Sequence, residues 1–354
     1  MIRLDSACSP IATVPLSVRS RSRSILFSLS PEERGEFLPD WKGIDDASIH
    51  WFDGKRNHMA AWNQVLETTR PEVIVSCWST GAIPEAFACA EDSPLRYVCH
   101  IAGSVRHVPR RFIERGGVVT NWGDAPAEPV AEHALLLALA ALRNVPDWRP
   151  LIADGPSYFE HPVNRLKTCT LFGRRVGIHG FGRIARALIR LLKPFRTPIA
   201  VWSEGVPRAF IEEHGATSAD SLHDLFGRSE VLFECEALTA SSTGSVSANI
   251  LAALPDGAVF VNVGRGRVID EPALIQEASR GRLRVAVDVC WEDPVRSTDR
   301  LYMTPQIVLS PHIAGPTHSE FPLCGQTALE NLSRYLKGET LRNRITLSQY
   351  DRAT

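Results

Sequence analysis

The sequence predicts an α/β protein built from two doubly wound parallel sheets. Short β-branched or apolar runs alternate with longer amphipathic ones from about Ile25 onward, the pattern of strands joined by crossover helices. The alternation pauses at one long apolar stretch, Ala127 to Arg143, and restarts beyond it. At 354 residues and 44% hydrophobic content, the chain can bury two cores of ordinary size.

Before the first strand, Val18 to Ser24 reads "VRSRSRS", basic and serine-rich. Asp5, Pro10 and Pro15 spoil the amphipathic helix of a transit peptide, so residues 1–24 are read as an extended N-terminal arm. Strands are then expected at "ILFSL" from 25, "VIVSC" from 73, "RYVCHIA" from 96 and "GVVTN" from 117. The stretch "AEPVAEHALLLALAALR" is apolar on nearly all sides, which implies a helix buried between layers or domains. A Pro-rich, aromatic connection, "PDWRPLIADGPSYFEHPVNR", leads to the second unit. Its strands are expected in "RRVGIHGFGRIARALIRLL" and at "PIAVWS" from 198, "VLFECE" from 231, "GAVFVNVG" from 257, "LRVAVDV" from 283 and "QIVLSP" from 306. A last helix, about His318 to Leu336, follows all of these strands and can return to the first unit. The expected division is therefore a discontinuous domain, 25–126 with 315–354, and an inserted one, 127–314.

Charge narrows the partners. Lys and Arg (39) nearly cancel Asp and Glu (40), which argues against a surface for nucleic acid or a polybasic membrane foot. No apolar run approaches the roughly 18 residues of a membrane span, and the N-terminus lacks a secretory apolar core. A cytoplasmic protein with small-molecule partners is expected. The eight cysteines are scattered without a C-x-x-C pair, and neither they nor the 11 histidines have metal-ligand spacing. No metal is expected.

In "VGIHGFGRIA", an apolar strand runs into Gly180, Gly182 and Ala185, matching G-x-G-x-x-G/A at a strand-to-helix turn. The first glycine permits the tight turn, the second lets a pyrophosphate approach, and a small third residue lets helix and strand pack. Gly180, Phe181, Gly182, Arg183 and Ile184 are thus the expected cofactor turn, with phosphates on the helix N-terminus. The next strand should end in an acid for the ribose diol. Here it ends at Ser203, with Glu204 one position late and Arg208 beyond. Serine would not repel a 2′-phosphate and Arg208 could attract one, while Glu204 acts the other way; because no arginine follows Ser203 directly, NAD is expected with NADP left open.

Further on, "VNVGRGRVIDEPALIQEASRGRLRVAVDVCWEDP" and then "VLSPHIAG" closely resemble the D-isomer-specific 2-hydroxyacid dehydrogenases, from about residue 70 to 340. The resemblance implies a Rossmann cofactor domain inserted in a flavodoxin-like substrate domain. It also implies hydride transfer between a nicotinamide and a small 2-keto or 2-hydroxy acid. Such chemistry needs a cation for the substrate carboxylate, and arginine's planar fork suits it. The resemblance assigns this to Arg265, with Val263 and Gly264 beside the cofactor. It makes His312 the proton donor, a task suited to an imidazole with an unperturbed pKa near 6.5. The carboxylate behind that imidazole falls at Asp293, where the family has glutamate; aspartate is shorter by roughly 1.5 Å, so Glu292 is the alternative. Asp288 resembles the strand-end acid that meets the nicotinamide amide.

Substrate contacts are implied in "HIAGSVRHV", at Gly103 and Ser104, and in "VSCWSTG", at Trp78 and Ser79. Phosphoglycerate-using relatives carry a cation at the latter place, so tryptophan disfavours a phosphorylated substrate, although Trp78 can equally be core packing. "FECEALTASST" replaces the usual His-x-Pro turn and leaves Glu236 without an assigned role. With a neutral surface, no phosphate cation and no C-terminal regulatory domain, a glyoxylate- or hydroxypyruvate-like substrate is expected, in a homodimer. The alternative is a dinucleotide-sensing interaction protein, similar to the family's corepressor relatives, without turnover.

Overall fold

The computed structural model describes residues 23–43, 47–53, 58–155 and 161–352. Residues 1–22 of the expected arm lie outside them, as does the centre of the Pro-rich connection, while the arm's last two residues, Arg23 and Ser24, are already part of the first strand. Contacts divide the chain into one unit of Met1–Ala125 with His318–Thr354 and a second of Pro126–Thr317.

The first unit holds β1 (Arg23–Ser28), β2 (Ala47–Phe52), β3 (Val73–Ser76), β4 (Tyr97–His100) and β5 (Val118–Thr120). All pair in parallel, in the order β2-β1-β3-β4-β5, which is the flavodoxin-like winding. Alternate residues serve two hydrophobic layers: Ile25, Phe27, Val73, Val75, Tyr97 and Cys99 on one face, Leu26, Ile74, Val98 and Val119 on the other. Covering both faces is why these strands read as unbroken apolar runs. Strand β2 escaped the sequence reading for the converse reason. It is the half-buried edge strand, and polar Ser48 and His50 interrupt its apolar residues. The last helix, Phe321–Lys337, starts three residues later than expected, ends on Gly338 in the left-handed region (φ 72°), and buries Cys324, Ala328 and Leu332 in this unit.

The second unit holds β6 (Val176–His179), β7 (Ile199–Trp202), β8 (Thr217–Ser218), β9 (Val231–Glu234), β10 (Val259–Asn262), β11 (Arg284–Val287) and β12 (Val308–Leu309). The parallel order is β12-β11-β10-β9-β6-β7-β8, the Rossmann winding with one added strand. Strand β8, two residues long, is too short to leave a sequence signal. The direction of winding reverses between β6 and β9, and the crevice beyond such neighbouring carboxyl ends is where open α/β sheets bind ligands.

The helix Ala127–Arg143 belongs to this second unit, where Val130, Ala131, Ala134, Leu137, Ala138 and Ala141 enter the core. The expectation that it is buried all round needs narrowing: Leu136 is 57% exposed and Glu128 and Glu132 face outward. The buried positions recur at helical spacing, so the helix is one-faced, with Leu136 on its outer side. Among the described residues, no helix is long and apolar enough to cross a membrane.

Candidate functional site

At the end of β6, Gly180 takes φ 93°, and a Cβ there would lie 2.7 Å from the Glu236 backbone. Only glycine satisfies both conditions. Gly182 begins the helix Arg183–Leu192 without a side-chain cap, and a Cβ there would meet nothing within 4 Å. The helix's free N–H groups therefore face open space, with no acid in the first turn to oppose an anion. Ala185 is wholly buried, as close helix-to-strand packing requires, and Phe181 is buried against Phe210 and His214. These features fit a dinucleotide pyrophosphate at this turn.

Beside it, the ends of β6 and β9 bring His179 and Glu234 together at 2.5 Å, both essentially inaccessible. Burial disfavours a charged ring, but Glu234 and then Glu236 outweigh it and hold the His179 pKa above its ordinary value. Glu236 accepts a hydrogen bond from Ser203 Oγ at 2.9 Å and another from the Ala237 N–H at 2.9 Å. Glu204 is exposed.

At the other end of the sheet's carboxyl edge, β11 stops at Asp288. Its side chain is 2% exposed and accepts from Ser310 Oγ at 2.5 Å, the Ile313 N–H at 2.9 Å and the Ala314 N–H at 3.0 Å. Burial alone would raise its pKa, but His133, Ser310 and these backbone donors bring it down to about 2. His133 Nε2, on the helix Ala127–Arg143, is 2.9 Å from Ser310 Oγ, so a relay runs from imidazole to hydroxyl to carboxylate. Asp288 thereby ties the loop carrying His312 to the sheet.

His312 sits in that loop in the left-handed region (φ 57°), its side chain 52% exposed. Histidine is one of the non-glycine types that tolerates this conformation. Nδ1 lies 3.1 Å from Asp293 Oδ2, while Asp293 Oδ1 accepts from the Cys290 thiol at 3.0 Å. Burial, then Asp293, pushes the Cys290 thiol up to about 12, so it acts as a donor rather than a nucleophile. Aspartate's shorter reach is met by the loop itself. Glu292 points away, 75% exposed and paired with Arg267 at 3.3 Å.

Arg265 is half-buried, and its guanidinium donates to the Gly264 carbonyl at 2.7 Å. Burial lowers its pKa, and the charge of Asp293 pulls the other way. The adjoining Gly266 is obligatory: a Cβ would fall 2.1 Å from the Cys290 carbonyl. That close approach brings the arginine loop against the "CWEDP" loop. Val263 is buried just ahead of it.

In the first unit, the Ser79 N–H donates to Glu33 Oε1 at 2.7 Å and its hydroxyl to Glu33 Oε2, so both donors anchor the loop to a helix start. Trp78 is 40% exposed and packs edge-on against Phe37, Trp122 and Phe321, combining an aromatic cluster with an open face. Gly103 lies tightly against the Trp122 ring, and its carbonyl accepts from Asn121 Nδ2 at 2.7 Å. Ser104 is exposed. Sequence reasoning missed His133, Ser310 and Cys290. A lone histidine in an apolar helix was the available signal for the first; the others had none.

A family model described as D-isomer specific 2-hydroxyacid dehydrogenase, NAD binding domain, matches residues 135–314. The chain is 28% identical over 235 residues to D-3-phosphoglycerate dehydrogenase of Methanocaldococcus jannaschii, a match covering 66% of this chain and 44% of that one. It therefore spans under half of that relative. It is 30% identical over 230 residues to hydroxyphenylpyruvate reductase of Plectranthus scutellarioides, covering 64% and 71% respectively. An NADPH-dependent glyoxylate/hydroxypyruvate reductase from Sinorhizobium meliloti superposes with a TM-score of 0.72 at 25% identity, over 94% of this chain and all of that one.

Proposed function

The chain belongs to the D-isomer-specific 2-hydroxyacid dehydrogenases, and from that premise we propose that it moves a hydride between NAD(P) and a small, unphosphorylated 2-keto or 2-hydroxy acid. The observation that carries this reading is geometric: Gly266 holds the Arg265 loop against Cys290, and in the same segment Asp293 stands 3.1 Å behind the His312 imidazole. A bound nicotinamide would supply or accept the hydride at the substrate's second carbon. Arg265 would hold the substrate carboxylate and polarise the carbonyl through a permanently charged, bidentate fork. His312 would deliver the proton from Nε2, since Nδ1 is engaged by Asp293, and would take it back in the reverse direction. Asp288 would keep the imidazole in place by holding its loop to β11.

Gly180 to Ile184 would receive the pyrophosphate, and the end of β7 at Ser203 the ribose. Trp78 argues against a phosphorylated acid, because an exposed indole offers a phosphate no charge. We further propose a cytoplasmic homodimer, in which the leucine-bearing outer side of the helix Ala127–Arg143 would meet a second copy.

The test is to mix the purified protein with NADH or NADPH and a panel of 2-keto acids and follow loss of the reduced nicotinamide's near-ultraviolet absorbance. Turnover of glyoxylate or hydroxypyruvate is expected. Silence with every pair would favour a dinucleotide sensor without turnover. Arg265→Ala should lower kcat/KM about 10²- to 10³-fold while dinucleotide binding, followed by calorimetry, persists; unchanged activity would remove Arg265 from the site.

A further inference from the structure

Selection between NAD and NADP in a Rossmann unit is made where the second strand ends, by an acid that binds the ribose diol or a cation that accepts a 2′-phosphate. Here that strand, β7, ends at Trp202 and is followed by Ser203, an uncharged residue. The acid next in sequence, Glu204, is exposed in the following turn. The nearest cation from the sequence motif, Arg208, is paired with Asp220 at 2.7 Å.

A carboxylate nevertheless reaches the end of β7. Glu236, from the loop after β9, places Oε2 2.9 Å from Ser203 Oγ, with the hydroxyl donating. Its backbone lies against the Gly180 turn, so it is at the winding reversal between β6 and β9. Three restraints fix its position: the Ser203 hydroxyl and the Ala237 N–H on its carboxylate, and its own N–H donated to Glu234 Oε1 at 2.8 Å. The side chain is half-buried. The other acid of the cluster, Glu234, is occupied by His179 in the interior. The accessible negative charge beside Ser203 is thus that of Glu236.

We infer that Glu236, supplied by the β9 loop and steered by Ser203, does the work of the missing strand-end acid: it accepts from the adenosine ribose 2′-hydroxyl and excludes a 2′-phosphate, making the protein select NAD over NADP. The inference rests on the proposed use of a nicotinamide dinucleotide. It also gives the turn that replaced His-x-Pro a chemical reason, since the swap moves the discriminating charge from the end of β7 to the end of β9, on the other side of β6.

The experiment is calorimetric titration of wild type, E236Q, S203A and E204Q with NADH and with NADPH, each variant's melting curve being recorded alongside. Wild type should bind NADH more tightly. E236Q should cut the NADH-to-NADPH affinity ratio about tenfold to a hundredfold, the worth of a charge-assisted hydrogen bond and the associated repulsion. S203A, which frees the carboxylate without removing it, should cut the ratio less, about threefold, and serves if E236Q melts early. E204Q should change the ratio least. An unaltered ratio in both E236Q and S203A, or a larger effect from E204Q, overturns the inference and leaves the proposed oxidoreductase standing. Failure of wild type to bind either dinucleotide removes the functional reading, and the inference falls with it.

Discussion

Asp288 and Asp293 belong to one short segment, yet they occupy opposite environments. Asp288, at the end of β11, is almost inaccessible and surrounded by donors from residues 310 to 314. Asp293, on the loop beyond, keeps about a third of its side chain exposed and divides its oxygens between a thiol and the His312 imidazole. The same functional group is an anchor in one place and an electrostatic partner in the other. A carboxylate that accepts three hydrogen bonds inside the fold keeps little acceptor capacity for a ligand. One facing an exposed imidazole across 3.1 Å can respond when that ring gains or loses a proton.

The sharpest way to break this contrast is Asp293→Asn. It removes the charge shared by His312 and Arg265 while keeping the side chain's shape, and should lower kcat about a hundredfold, within the range for disabling general acid–base catalysis. Dinucleotide affinity should hold, and activity within threefold of wild type would show that His312 works without it.

Asp288→Asn should act first on stability. The carboxylate's pKa falls from 3.8 to about 2 on folding, so its contribution is complete above pH ~4 and is lost as pH falls through about 2. The shift corresponds to about 2 kcal/mol at neutral pH. Urea unfolding should show a deficit of that order in Asp288→Asn at pH 7 that shrinks as the buffer is acidified towards pH 2. A deficit independent of pH would mean that packing, not charge, holds the loop.

The smallest effect is expected at the neighbouring acid. Glu292→Gln breaks an exposed pair with Arg267 and should alter activity less than about twofold and stability by under about 1 kcal/mol. A loss comparable to that of Asp293→Asn would reverse the assignment of the two acids.

Much of this arrangement was legible beforehand. The strands of both sheet interiors announced themselves because burial on two faces demands continuous apolar runs, as in "VIVSC" and "AVFVNV". Gly180 of "GFGR" and the glycines of "GRGR" were legible because a backbone at φ 93° or in contact with another carbonyl admits no side chain. Edge strand β2 was not, since a half-buried strand need not be apolar throughout. Nor was the role of His133, which depends on Ser310, a residue 177 positions away.

The sequence by itself determined the α/β class, the restart of the strand–helix alternation, the glycine turn after β6 and the family, because these are written in local period, glycine placement and motif. Only the tertiary structure decided which acid stands behind His312, that Asp288 spends its oxygens on the loop, and that Glu236 reaches Ser203. Those outcomes depend on which strand ends become neighbours. Sheet order brings residues from β6, β7 and β9, or from β10, β11 and β12, within hydrogen-bonding distance, and separation along the chain carries no record of it.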